Sequence, residues 1–519
     1  MASSARLILM LYAMSIASTV SGIDLEYYTR EKVEKSIEPF QKSLEIVKTI
    51  VEGKNTKHWS GVFKKMLIVT SRFGPAFGGF AGAAINCALA FLGQDDPVLT
   101  EVKTQFAEVN RKLDSISSQI DSLKTVVMWA NYASIYSKDE LKITYAWEKF
   151  NEFMRDNMAA TDKDQKRILI QRFIDAYQGT DESVFNFYKY LTGNQPSLTE
   201  NLLDLLVEKC NGDLSKVNIY SAYFQTLMWK GLQLNLIYYK LKDFSTEAKV
   251  KESVTQYYNV TQALKKTYLY CIENFKTFMI NDVKVIGNSK FFEMNELATE
   301  VREFLNNKYN WYDWIVVVYN KDDDGSHEIN FFTKIPLEKF IVAVSFSESG
   351  SHYIGNTIKE YTSDCVKNIK CSMTEVLNNL PECAYKFSRY GPSTFKLAIN
   401  QIAAIHVSQK NYGYSEHPEP LLRKNCYNGF FSVYVKSDNQ IREPNLCSSN
   451  TDCGNGQCKT ILDISLTICD CNEGFYGEKC ENNIQDDFIE NKSMFVSLRT
   501  TFKILDYYNE VEFKYLFNI

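Results

Sequence analysis

The chain has little of what enzyme active sites usually display in a recognisable pattern. Its five histidines are His58, His327, His352, His406 and His417, and none form the His-x-x-x-His pair of a zinc site. There is no Gly-x-Ser-x-Gly elbow and no phosphate-cradling glycine loop. Carboxylates are plentiful, but no spacing marks a catalytic pair. We therefore expect no catalysis, no cofactor and no bound metal. Long runs of Lys or Arg are also missing, and 63 acids against 58 bases give a net charge of −5, which argues against generic binding to nucleic acid phosphates. Proline is scarce (10), whereas Tyr (32) and Phe (33) are abundant. With 45% hydrophobic residues, this is the composition of a chain with a sizeable core. Disorder over the whole chain and fibrous repeats are excluded. A length of 519 residues predicts two to four domains.

The first residues read MASSARLILMLYAMSIASTVSG. A short positive start, an apolar stretch from Leu7 to Ala17 and small residues at Val20-Ser21-Gly22 predict a secretory signal over 1–22, too short for a membrane anchor. The mature chain is expected to be extracellular, where disulfides form. Sequons at Asn259 and Asn491 are the expected glycosylation sites.

Residues 447–480 read CSSNTDCGNGQCKTILDISLTICDCNEGFYGEKC, with six cysteines at Cys447, Cys453, Cys458, Cys469, Cys471 and Cys480. Six cysteines alone allow fifteen pairings. The spacing and the closing Cys-x-Cys-x-x-Gly-Phe-Tyr-Gly-x-x-Cys resemble an EGF-like module. That resemblance implies the pairs Cys447–Cys458, Cys453–Cys469 and Cys471–Cys480. The family's calcium-binding subset carries acidic and amide residues before the first cysteine. Ile441-Arg-Glu-Pro-Asn-Leu departs from that pattern, so no calcium is expected. Seven cysteines remain, and an odd count leaves at least one unpaired within the chain. Cys87, inside an apolar segment, is the expected free thiol. Cys210 with Cys271, and two bridges among Cys365, Cys371, Cys383 and Cys426, are candidate pairings that the sequence leaves open.

Apolar residues at Val33, Ile37, Phe40, Leu44, Val47 and Val51 make one helical face. Asp96 and Pro97 open a longer helix with a 3–4 repeat from Leu99 to Val127. Between them, Phe73 to Gly93 reads FGPAFGGFAGAAINCALAFLG, without a charge. As a helix it would be ~31 Å long, about the thickness of a bilayer core. Gly74, Gly78 and Gly82, with Phe77 and Phe80, make it a candidate for conditional membrane insertion through a small-residue stripe. The competing expectation is a buried core helix.

Helical patterns continue at 165–177, 201–209 and 221–244, which predicts a bundle over 23–310. Runs at 314–319, 328–332, 340–346 and 430–435 predict a β-rich, disulfide-containing domain over 311–440. Asp322-Asp323-Asp324-Gly325 resembles the start of a calcium loop, but Phe331 occupies the position of its closing glutamate. We expect a hairpin turn there. A tail at 481–519 is apolar enough to dock. The fold class is thus multidomain α+β: a large amino-terminal helical bundle, a β-rich middle domain and a small disulfide-rich module.

The order of apolar Gly-rich helix, Phe91-Leu-Gly-Gln-Asp-Asp-Pro97 and Phe106-Ala-Glu-Val-Asn-Arg-Lys-Leu-Asp114 resembles cephalotoxin-like secreted proteins. More loosely, the layout is similar to helical-bundle pore-forming toxins with β-rich carboxyl-terminal domains. The resemblance implies a secreted toxin-like protein that binds cell surfaces and inserts a helical segment, and it transfers no catalytic residue. The alternative is an extracellular adhesion or receptor-binding protein that uses its EGF-like module without insertion. Expected partners are a cell-surface protein or glycan, membrane lipid and a second copy of the chain, with no nucleic acid.

Overall fold

The computed structural model describes helical positions between 34 and 48, Ala84, and residues 107–119, 136–193, 200–289, 292–387, 393–442, 447, 452–461, 466–476 and 479–483. Residues 107–119 are helical. Eight helices follow: α1 (Ser137–Ala159), α2 (Lys163–Tyr177), α3 (Thr180–Thr192), α4 (Leu202–Cys210), α5 (Leu214–Leu241), α6 (Glu247–Glu273), α7 (Phe275–Ser289) and α8 (Met294–Lys308). Caps fix several starts. The Asp162, Asn201 and Asp213 side chains accept backbone N–H groups at the first turns of α2, α4 and α5. Asn211, left-handed at φ 46°, ends α4.

The sequence pattern marks one apolar face on α5, but the helix is buried on nearly every side from Leu214 to Ile237. Neighbours surround it: α1, α2, α3, α4 and α6 all pack against it. Two of its buried amides are paired through one of their polar atoms. Asn218 accepts from the Tyr268 hydroxyl at 2.9 Å, and Gln233 donates to Asn110 at 3.1 Å. Helix 107–119 is tied to the bundle by Asp114, which accepts from Trp147 Nε1 (2.7 Å), Asn151 (2.8 Å) and Lys230 (3.0 Å). Val109, Leu113 and Ile116 of the expected heptad face are buried in the main core. So are Ile37, Phe40 and Leu44 of the first stripe, with Phe40 edge-on to Trp229 at 4.8 Å. Ala84, the one described residue of the glycine-rich segment, is helical and fully buried in the same core.

Past Tyr309 the chain forms two antiparallel four-stranded sheets. The first has the order β3-β4-β1-β8 and the second β2-β7-β10-β9. The strands are β1 (Tyr312–Asn320), β2 (His327–Asn330), β3 (Thr333–Pro336), β4 (Phe340–Glu348), β7 (Ile402–Ser408), β8 (Tyr414–His417), β9 (Leu422–Asn425) and β10 (Phe430–Val435). A separate hairpin pairs β5 (Ala384–Phe387) with β6 (Ser393–Lys396). Alternate residues of β1 explain the layering. Trp314, Val316 and Val318 join the core shared with α8, whereas Ile315, Val317 and Tyr319 face the second sheet. The second sheet buries its other face, including Ile405, Val407 and Val433, under α9 (Tyr353–Val366) and α10 (Met373–Asn379). The order is helix, sheet, sheet, helix. Being covered on both faces, β1, β4, β7 and β10 are mostly apolar along their length rather than strictly alternating.

The stretch 311–440 is β-rich and also holds α9, α10 and the short α11 (Asp438–Arg442), and buried residues on both sides of 310 share the main core. Two expectations need correction. Lys321–Ser326 is a 3₁₀ turn rather than a hairpin. The reason is topological: β1 and β2 belong to different sheets, and the segment carries the chain between them. Cys210 and Cys271 are free and buried. They sit on packed helices α4 and α6. Packed helix axes stand ~8–10 Å apart, and a disulfide wants Cα atoms ~4.4–6.8 Å apart. Burial pushes both thiols up to about 12, so they are inert. Bridges do join Cys365–Cys383 and Cys371–Cys426.

Candidate functional site

Two places concentrate polar chemistry in the carboxyl-terminal half. The first is a line of hydrogen bonds between the two sheets. His327 opens β2 and His406 lies inward in the apolar run of β7, so both rings enter the inter-sheet layer. His327 Nδ1 stands 2.9 Å from His406 Nε2. His406 Nδ1 stands 2.5 Å from Glu416 Oε1 on β8. The other carboxylate oxygen accepts from Arg423 Nη1 at 2.8 Å and from the Ser432 hydroxyl at 3.1 Å. Arg423 lies 4.1 Å over the Phe430 ring, and Tyr319 stacks on His327 at 4.3 Å. His327 is 3% exposed and His406 0%. Burial, with His406 beside it, lowers the His327 pKa to about 4. Its Nε2 has no partner. Arg423 is the solvent end of this chain of groups. Sealed from substrates, this line of hydrogen bonds ties β2, β7, β8 and β9 together across the sandwich. Neither histidine shows a motif in the sequence, and only the isolated polar residue in Ile402-Ala-Ala-Ile-His-Val-Ser408 hints at it.

The second place is the three-disulfide module. Its bonds join Cys447–Cys458, Cys453–Cys469 and Cys471–Cys480 around a hairpin of β11 (Gly456–Ile461) and β12 (Leu466–Cys471), with β13 (Phe475–Tyr476) paired to β14 (Asn482–Asn483). Gly456 is obligatory, since a Cβ there would stand 2.5 Å from Cys480 Sγ and 2.7 Å from the Asp470 carbonyl. The module is seated along α6. The Tyr258 hydroxyl accepts from the Gly474 backbone at 3.3 Å, Lys265 meets Asp470 at 3.5 Å, and Glu273 meets Lys459 at 2.7 Å. Positions 258, 265 and 273 recur on one helical face and span roughly 22 Å. Ile468 completes the seat by entering the main core. Combining Tyr258→Phe with Lys265→Met should raise amide exchange in the β11–β12 hairpin and leave α5 protected. Unchanged exchange in the hairpin would mean the seat is held by Ile468 alone.

Of the other expected site residues, Asn259 lies on α6, where its side-chain amide donates to the Tyr188 hydroxyl at 3.0 Å. Thr261 of the same sequon is 1% exposed and bonds back to Tyr257. Asn491, Cys87, the signal 1–22, the tail beyond 483, and Gly74, Phe77, Gly78, Phe80 and Gly82 lie outside the described residues. Among the described residues, no helix is long and apolar enough to cross a membrane, and no group of three metal-ligating side chains occurs.

Residues 93–290 match the family described as the cephalotoxin-like middle helical domain. SE-cephalotoxin of Acanthosepion esculentum is 22% identical over 392 residues, which are 75% of this chain and 36% of that protein. The match thus spans about a third of that relative. Protein rapunzel of Danio rerio is 23% identical over 193 residues, 37% of this chain and 83% of that protein. No solved structure matches the chain. The family match covers helix 107–119 and α1 to α7, the bundle that carries the module's seat.

Proposed function

We propose that this is a secreted, toxin-like protein that binds cell surfaces with its sandwich and EGF-like module and inserts the helix at 73–93 into lipid. The carrying observation is the seating of the three-disulfide module on α6 of the cephalotoxin-like bundle. Five disulfides suit an oxidising exterior, and the similarity to SE-cephalotoxin supports a toxin-like reading. In this reading the module, held on α6, and the sandwich are the binding parts. Residues 73–93, with their glycine stripe, are the inserting segment. Insertion moves its apolar face into lipid, and contact between copies through the stripe closes a pore.

The test is dye release from liposomes by the mature protein, over pH and lipid composition, beside binding to cells. Release is expected, and Gly78→Leu with Gly82→Leu should abolish it while secretion and cell binding persist. Binding to cells without release under any condition would instead make this an adhesion or receptor-binding protein.

A further inference from the structure

Two loops leave the same end of the second sheet. Phe430, the first residue of β10, pairs with Ser408, the last of β7, and with Asn425, the last of β9. Loop 409–413 therefore stands beside loop 426–429. Each presents one tyrosine to solvent: Tyr412 is 71% exposed and Tyr427 96%. These rings project from pinned backbone. Cys426 is bonded to Cys371, and its N–H donates to the Gly429 carbonyl at 2.7 Å. Gly429 passes so close to β7 that a Cβ would meet the Ser408 carbonyl at 2.1 Å. In the neighbouring loop Gln409 N–H donates to Ser326 at 3.0 Å, and Lys410 is paired with Asp323. A ring held out by fixed backbone loses little conformational entropy when a partner covers it.

We infer that this end of the sandwich is a glycan-binding surface for neutral pyranosides, which stack on Tyr412 and Tyr427. This rests on the cell-surface reading above and names its chemistry. Exposed amides Asn411 and Asn428 flank the two rings, and each offers donors and acceptors to sugar hydroxyls. The aromatic faces match the C–H faces of a pyranose. Within loops 409–413 and 426–429 the one cation, Lys410, is paired with Asp323, so these loops offer no free charge to an anionic polysaccharide or nucleic acid. Neither loop carries an aliphatic side chain, and an interfacial membrane anchor needs apolar bulk together with basic charge.

The experiment measures the full mature protein on immobilised neutral oligosaccharides built from galactose, mannose and N-acetylglucosamine, with heparin and phosphatidylcholine vesicles alongside. Binding to at least one neutral probe is expected. Tyr412→Ala with Tyr427→Ala should weaken it roughly tenfold or more, the scale of losing aromatic anchors. The paired Tyr→Phe variants should keep most of it, because stacking survives. Both side chains are exposed, so the urea midpoint should not move. No binding to any neutral probe, equal binding by the double alanine variant, or binding confined to heparin or vesicles overturns the inference. Cells bound equally well before and after enzymatic deglycosylation would overturn it while leaving surface binding intact. Failure to bind cells at all would instead remove the reading beneath it.

Discussion

Replacing Asp282 by alanine should cost about 3–5 kcal/mol of folding stability, the range for removing one partner of a buried ion pair. Asp282 on α7 is the joint of three elements. Its Oδ2 accepts from Lys308 Nζ at 2.7 Å and from the Tyr309 hydroxyl at 2.6 Å. Its Oδ1 accepts from the Asn211 amide at 2.7 Å, on the residue that ends α4. The Lys308 and Asp282 side chains are 8% and 10% exposed, so neither charge is well solvated. Without the carboxylate, the ammonium would keep only the Asn211 carbonyl at 2.9 Å among its hydrogen-bond acceptors. Asp282→Asn should fall between wild type and alanine. Adding Lys308→Met to Asp282→Ala should recover part of the loss, because no unpaired charge then remains. Urea unfolding followed by tryptophan fluorescence reads this directly. A loss within about 1 kcal/mol would place the pair in the class of solvated surface bridges.

The same joint shows why the expected boundary near 310 did not mark a break in packing. The change of pattern after Tyr309 is real, since periodicity switches there from helix to strand. Packing ignores it. Trp314 on β1 donates its Nε1 to the Tyr309 carbonyl at 3.1 Å, and α8 covers the first sheet. A change in local period reports local structure and carries no information about which faces later meet.

Local pattern was most legible where one element decides its own shape. Strands β1, β4 and β10 stand where the apolar runs put them, and α2 and α4 where the 3.6-residue repeats do. Helix α9 was missed, although Ile354, Ile358 and Thr362 recur every fourth residue and are all buried. What the sequence could not carry is partner choice. The Asp-Gly turn suggested a hairpin because the nearest strands in sequence usually pair. Here β1 takes β4 and β8, while β2 takes β7. The line of hydrogen bonds through His327 and His406 is illegible for the same reason. Its members lie on β2, β7, β8 and β9 and meet only through two sheets packed face to face.

Lowering the pH from 7.5 to 4 should remove on the order of 3 kcal/mol from the sandwich through His327. Its folded pKa is about 4, below the ordinary 6.5. Between those values the unfolded chain binds the proton and the folded one refuses it, so stability falls as pH falls. At 1.36 kcal/mol per pKa unit the difference gives about 3 kcal/mol, complete above pH ~6.5 and lost by pH ~4. The geometry supplies the cause. With the His406 Nδ1–H donated to Glu416, His406 Nε2 accepts the Nδ1–H of His327. A further proton on His327 must go to Nε2, which has no acceptor. The nearby carboxylates are committed elsewhere, Asp323 to Lys410, and Asp324 to Lys334 and the Tyr319 hydroxyl. These bonds hold both carboxyls below the usual range. Around the rings, Tyr319, Tyr414 and Tyr434 offer no counter-charge, and Arg423 is already spent on Glu416. His352 runs the other way. Its bond to Asp313 raises its pKa, so its contribution is present in acid and fades as pH rises through the folded value. His327→Asn keeps an amide donor for His406 and cannot take the proton. Its loss between pH 7.5 and 4 should therefore be several-fold smaller than that of wild type, read by urea unfolding and by exchange of the β7 and β10 amides. Equal losses in both proteins would shift the acid sensitivity from the histidine to the two carboxylates.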